Sequence, residues 1–250
     1  MKNISYLLVL GLALLIVPPA NAKPKYEYLI PYGKLLSTYV EAGEKQGIRV
    51  FLVDYASWAK DPLHASAMQS LQQINPASLS GEEKMAFWIN AYNLLTVDLI
   101  VKTGETQSIK NQGSLFRNVW KIHAWEIYGR TYTLDEIEHK ILRPMGDPRI
   151  HVAINCASLS CPDLRGEPYM AAILNAQLEE QTRLFLINQS KGVLVTDSGL
   201  ILSRIFKWFA DDFGGAAGVA TFIHPYLLKT SAMEIDGYLD YNWSLNGKSF

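Results

Sequence analysis

The sequence predicts an α+β fold, a mainly helical single domain carrying a small, largely antiparallel sheet. Three observations lead there. The segment GEEKMAFWINAYNLLTVDLIVK (81–102) is long, almost wholly apolar and preceded by a helix-start signal, so it reads as a central helix. Strand-like residues come as short pairs around turn residues, WKIHAWEIYGRTYT and VLVTDSGLILS, and do not alternate with helices as a parallel sheet requires. No internal repeat, low-complexity tract or polar linker divides residues 23–250.

Residues 1–22, MKNISYLLVLGLALLIVPPANA, open with Lys2, run apolar from Leu7 to Val17 and end Ala20-Asn21-Ala22, the pattern of a secretory signal peptide cleaved before Lys23. The apolar run is too short to span a bilayer comfortably, and no cysteine follows to carry a lipid. A periplasmic or secreted protein without a transmembrane segment is therefore expected. Pro31 to Lys45 places Leu35, Leu36, Tyr39 and Val40 on one helical face, closed by Gly43 and Gly47. VFLVDYASWAKD and LHASAMQSLQQIN follow as an extended piece and then helices ending at Asn75-Pro76. Ser80 and Glu83 form a capping box, each side chain able to satisfy a free amide at the helix start.

Within that central helix Asn90 and Asn93, three residues apart, share a face. Buried amides are costly unless hydrogen-bonded, so the face should meet something polar, and bracing of loop backbone is favoured over a direct catalytic role. WKIHAWEIYGRTYT reads as a hairpin turning at Gly129-Arg130. Thr133 and Glu136 repeat the capping box ahead of a helix through Glu138 and His139 to Leu142, which Pro144 ends. HVAIN (151–155) reads as a buried strand and Glu167 to Asn188 as a long amphipathic helix. A second hairpin turns at Asp197-Ser198-Gly199, SRIFKWFADDF is a helix capped by Ser203 and stopped by Gly214-Gly215, and a last helix runs toward His224-Pro225.

The chain has 23 Lys and Arg against 24 Asp and Glu, a net charge of −1. Without a basic excess there is no electrostatic footprint for nucleic acid, which leaves a small molecule or peptide as the expected partner. The only two cysteines, Cys156 and Cys161, tend to pair in an oxidising compartment.

Polar chemistry is densest in EHKILRPMGDPRIHVAINCASLSCPDLR (138–165), which holds both cysteines, His139, His151, Arg143, Arg149 and Arg165. A thiol attacks only as thiolate, a form favoured by nearby cations or helix N-termini, and Cys156 in its Ser/Ala/Pro loop suits a nucleophile. His139, oriented by Glu138, is the preferred base. His151 is the rival, but regular strand alternation would point it away from Cys156 and make it structural. Arg143, Arg149, His151 and Glu138 are read as substrate-binding. No metal or cofactor is expected: CASLSC offers two sulfurs without a second ligand pair, and phosphate-loop, dinucleotide and GxSxG motifs are missing. Asp135, Glu136 and Glu138 make only a weak case for a glycosidase carboxylate pair, since a helix dipole alone favours acids in a first turn.

FWINAYNLLTV, LDEIEHKILR, DPRIHVAINCASLSCPDLR, LSRIFKWFADDF and LDYNWSLN, in this order between Ser80 and Asn246, resemble the DUF547 family, a domain of unknown function. The resemblance implies that its block residues are Asn90 and Asn93; Glu138, His139 and Arg143; His151, Cys156, Ser160 and Pro162; and Ser203, Trp208 and Asp211. It brings no established activity, and in its plant-type version the position of Cys161 can be Ser, which weakens an obligatory disulfide. A cysteine, a histidine and an amide also invite analogy to papain-like thiol enzymes, although the order here, Asn90, His139, Cys156, differs from that family's Cys, His, Asn.

The expected function is an exported thiol-dependent hydrolase or transferase acting on an amide or thioester bond, with Cys156 as nucleophile, His139 as base and Asn90 or Asn93 orienting. The alternative is a non-enzymatic periplasmic binding or assembly factor in which a Cys156–Cys161 disulfide pins the loop. The leader pattern makes one outcome checkable: N-terminal sequencing of the exported protein should begin at Lys23, and an intact Met1 on protein recovered from the cytoplasm would overturn the export reading.

Overall fold

The computed structural model describes residues 26–114, 117–227 and 234–248, so the leader pattern of residues 1–22 falls outside the described residues. The first helix, α1 (Leu29–Tyr39), stops earlier than its apolar spacing suggests, because Val40 turns extended and the chain folds back as the antiparallel hairpin β1 (Val40–Lys45) and β2 (Ile48–Val53). Gly47 serves a different purpose from closing a helix. With Gln46 it forms a turn in which both residues have positive φ, 53° and 74°, the handedness that matches strand twist.

Asp54 then caps α2 (Tyr55–Trp58) by accepting from the Ser57 amide at 2.9 Å, and α3 (Leu63–Gln72) follows. The central helix α4 (Gly81–Thr103) starts at the expected capping box and ends at Gly104, whose φ of 64° is the left-handed stop that glycine allows. Every residue from Ala86 to Ile100 is buried, so no face of this stretch is left for water. Its buried Asp98 is fully compensated, by Trp125 Nε1 at 2.6 Å, Lys102 at 2.8 Å and His64 at 2.9 Å.

After α5 (Val119–Ile122), β3 (Ala124–Ile127) and β4 (Arg130–Thr133) pair as predicted, turning one residue earlier than expected, at Tyr128-Gly129. The second capping box opens α6 (Leu134–Glu136), which widens into a π-helical turn over Ile137–Leu142, a form frequent at functional sites. HVAIN is not a strand. Asp147 accepts from the Arg149 amide at 3.0 Å, and the amides of Ile150, His151 and Val152 bond the carbonyls of Asp147, Pro148 and Arg149, winding the chain into the single turn α7 (Ile150–Ala153). Local Asp-Pro turn chemistry overrides the β-branched composition here.

α8 (Leu174–Leu186) is shorter than expected, beginning only after an extended Met170. β5 (Val193–Val195) and β6 (Leu200–Leu202) form the second predicted hairpin. SRIFKWFADDF is bent: α9 (Ile205–Trp208) breaks at Phe209 and resumes as a 3-10 turn over Ala210–Phe213. α10 (Gly215–Ile223) follows, and β7 (Ile235–Tyr238) pairs in parallel with β6. The fold is thus α+β and mainly helical; among the described residues its strands are spread over three small sheets, all of whose pairings except β6–β7 are antiparallel.

Among the described residues two apolar clusters form the core. One surrounds α4; the other gathers Val152, Phe185, Phe206 and Phe213 against β5, β6 and α10. The C-terminal segment is sewn between them, Leu159 N–H bonding Ser244 O at 2.9 Å and Val53 N–H bonding Asn246 O at 3.0 Å. Among the described residues no helix is long and apolar enough to cross a membrane. Trp88, 2% exposed in the middle of α4, reports on this core: Trp88→Ala should lower unfolding free energy by about 3–5 kcal/mol, and a loss below about 1 kcal/mol in chemical denaturation would contradict its burial.

Candidate active site

The loop that carries Cys156 is held from α4. Asn93 donates from Nδ2 to Ala153 O at 3.0 Å and accepts the Asn155 amide on Oδ1 at 2.7 Å, clamping the chain on either side of the end of α7. Asn155 in turn accepts the Ala157 amide at 2.8 Å and donates to Pro162 O at 2.6 Å. These bonds hold Ala157 at φ 59°, a left-handed conformation that a non-glycine residue adopts only when its surroundings compel it. Asn90 clamps Tyr169 in the same way, through its amide at 2.9 Å and its carbonyl at 2.7 Å. Both asparagines are backbone braces, and neither hydrogen-bonds His139.

Cys156 emerges half-buried into a pocket of about 190 Å³ at the junction of the two apolar clusters, with Tyr92 and Ile154 on one side and Ile205 and Phe209 on the other. Both cysteines are free, so the pairing expected from an oxidising compartment is not formed. Instead the Cys156 amide donates to Cys161 Sγ at 2.9 Å, and Cys156 Sγ lies 3.2 Å from Ser158 Oγ and 3.3 Å from Tyr241 Oη. Burial alone pushes the Cys156 thiol up, but hydrogen bonds with Cys161, Ser158 and Tyr241 more than offset it and bring the thiol down to about 7. Burial drives Cys161 and Tyr241 well above their ordinary ranges, so both stay protonated; Tyr241 Oη is placed to donate to the Cys156 thiolate, and Cys161 Sγ donates instead to Ile154 O at 3.9 Å. Tyr241 is itself packed between Trp243 and Trp208, at ring separations of 4.5 and 4.8 Å, and these aromatics form one wall of the pocket.

Glu138 and His139 line the same pocket as Cys156. Glu138, projected inward by the π-helical turn, is buried and accepts from Tyr92 Oη at 3.3 Å. Burial, reinforced by the nearby charge of Cys156, raises its carboxyl to about 7. His139 lines the pocket, but the lone pair of its neutral ring is occupied. Arg143 Nη1 donates to Nδ1 at 3.1 Å, and Nε2 faces Asp135 at 3.6 Å. Burial, with Arg143 and Lys121 against the pull of Asp135, lowers it below the usual histidine range.

Because 150–153 is helical, His151 lines the same pocket as Cys156, contrary to the strand-alternation reading. Its Nε2 lies 2.7 Å from Asp212 Oδ2, and its ring stacks on Phe209 at 4.0 Å. Asp212, held by two Arg143 bonds of 2.6 and 2.7 Å, drops to about 2. An ionised Asp212 requires a hydrogen on His151 Nε2, which leaves Nδ1 as a buried lone pair without a partner. Burial lowers His151 to about 4, so it is neutral at physiological pH. Arg143 therefore organises the histidines and Asp212. Arg149 is engaged by Asp147 at 2.7 Å and Asn175 at 2.9 Å and is not among the pocket-lining residues.

Sequence reasoning missed Asp212, Ser158, Tyr241 and Tyr92. Ser158 stood inside the cysteine block, and Asp212 beside the block residue Asp211, but nothing local ties Tyr241 to a cysteine 85 positions earlier. Among the described residues no group of three or more His, Cys, Asp and Glu is arranged to hold a metal ion.

Residues 76–186 match the family model DUF547, described as a protein of unknown function, which takes in Asn90, His139 and Cys156 but not the blocks around Asp212 and Tyr241. Neither a curated protein nor a solved structure matches the chain.

A folded-state value of about 7 lies below the ordinary thiol range, so Cys156 contributes stability that is present above that range and is lost as pH falls through about 7. Alkylation of the reduced protein by iodoacetamide should rise with a midpoint near pH 7, and Tyr241→Phe should move that midpoint up by about one pH unit through loss of a charge-assisted donor. An unchanged midpoint in that variant would show that Tyr241 does not stabilise the thiolate.

Proposed function

We propose that this chain, a DUF547 protein over residues 76–186, is a thiol-dependent hydrolase or transferase that acts on an amide or thioester carbonyl, with Cys156 as nucleophile. One observation carries the reading: a half-buried thiol lines a concave pocket within hydrogen-bond distance of two hydroxyls, Ser158 Oγ and Tyr241 Oη, that favour its thiolate. Perturbed titratable groups gathered in a cleft are the usual mark of a reaction site.

The roles follow from protonation states. Glu138, raised to about 7, matches the Cys156 thiol and is suited to take its proton at neutral pH with little driving force in either direction. His151 is neutral and oriented by Asp212 through Nε2, and its Nδ1 lone pair is buried without a partner, so the ring serves to shape the pocket wall. His139, whose Nδ1 lone pair accepts from Arg143, is better suited to hold Arg143 than to act as the base. The export expected from the leader pattern is consistent with this chemistry and is not required by it.

The test is acyl transfer to the reduced protein from a panel of small amide and thioester donors, followed by intact mass. Wild type should gain one acyl group and turn it over. Cys156→Ser should lose the adduct, and Glu138→Gln should slow acylation by about 10²–10⁴-fold. No adduct from any donor, or an adduct surviving in Cys156→Ser, would overturn the reading and favour a pocket that only binds.

A further inference from the structure

We propose that Cys156 is a site of reversible oxidation by hydroperoxides and that Cys161 is its resolving thiol, closing the pocket as a Cys156–Cys161 disulfide. The inference shares with the previous section the reactivity of Cys156, but not its acyl chemistry.

The two sulfurs occupy unequal positions. Both cysteines line the pocket, but Cys156 is half-buried whereas Cys161 is only 3% exposed. A small peroxide entering the pocket therefore meets Cys156 first. Cys161 Sγ is already 2.9 Å from the Cys156 amide nitrogen, so the second sulfur lies against the backbone of the first cysteine, from which side-chain rotation brings the two together. Ser158 Oγ and Tyr241 Oη, at 3.2 and 3.3 Å from Cys156 Sγ, are placed to donate to an oxygen leaving from or bound to that sulfur.

The chemistry balances. The Cys156 thiolate attacks one oxygen of the hydroperoxide, an S–O bond forms as the O–O bond breaks, and the alkoxide or hydroxide leaves, taking up a proton from solvent. The sulfenic acid is then attacked by Cys161 sulfur, the S–S bond forms, and hydroxide leaves with the Cys161 proton as water. An external thiol restores both groups by exchange, supplying the two electrons.

The loop does not need this bond to hold its shape. Asn93 and Asn155 brace its start, and Ser160 Oγ accepts the Asn242 amide at 2.8 Å near its end. A disulfide here is therefore a switch on the nucleophile that spares it from irreversible oxidation, and not a staple of the fold.

The experiment treats the reduced full chain with hydrogen peroxide and reads intact mass, with dimedone as the sulfenic-acid probe. Wild type should lose two hydrogens, take up little dimedone and return to its starting mass with dithiothreitol. Cys161→Ser and Cys161→Ala should instead accumulate the dimedone adduct, and without dimedone should advance to the sulfinic acid. Cys156→Ser should stay unmodified at the same dose. A wild type that takes up dimedone as fully as the Cys161 variants, or whose disulfide links two chains, overturns the proposal. If the acyl-donor panel fails while the intramolecular disulfide forms, the hydrolase reading alone falls. If acyl adducts form on Cys156 and the disulfide does not, this one does.

Discussion

The amide of Asn93 is the constraint on which the site depends. It sits in the most buried stretch of the chain, on a helix with no polar face, and there each of its groups needs a partner. Ala153 O and the Asn155 amide supply them, so the polar group that would destabilise the core becomes the clamp that fixes the end of α7 and the start of the cysteine loop. Removing it would leave two backbone groups unpaired beside the nucleophile as well as a gap in α4. The strained φ of Ala157 follows from the same clamp passed on through Asn155.

Around the loop the charges fall into two groups. Arg143 spends its charge on Asp212, which keeps Asp212 ionised and lets burial hold His151 neutral. Cys156 and Glu138 instead share a region with no full cation bonded to either, so the thiol is stabilised by neutral donors and the carboxyl is pushed toward the thiol's range. A site built in this way brings the Cys156 thiol and the Glu138 carboxyl into the same range near neutrality.

Much of this could be read from residue order. Both capping boxes, both predicted hairpins and the buried central helix appear where periodicity and cap chemistry put them, because each depends on contacts within a few residues. The failures share one cause. The β1–β2 hairpin was hidden by an apolar spacing that fits a helix up to Val40, and HVAIN looked like a strand because its β-branched residues say nothing about whether a partner strand exists. The expectation that His151 points away from Cys156 rested on that strand, and the helical turn instead sets both His139 and His151 on the pocket lining.

The sequence by itself determined the class of fold, the density of reactive groups between Glu138 and Arg165, and the need for the Asn90 and Asn93 face to meet polar backbone. Only the tertiary structure decided which groups surround the sulfur. Tyr241 reaches Cys156 from 85 residues away, and Asp212 reaches His151 from 61, because the C-terminal segment and the bent α9 region are packed across the second apolar cluster. Such contacts are selected by burial summed over the whole core, which has no signature in any short window of residues, and a thiol's protonation state is the sum of those distant neighbours.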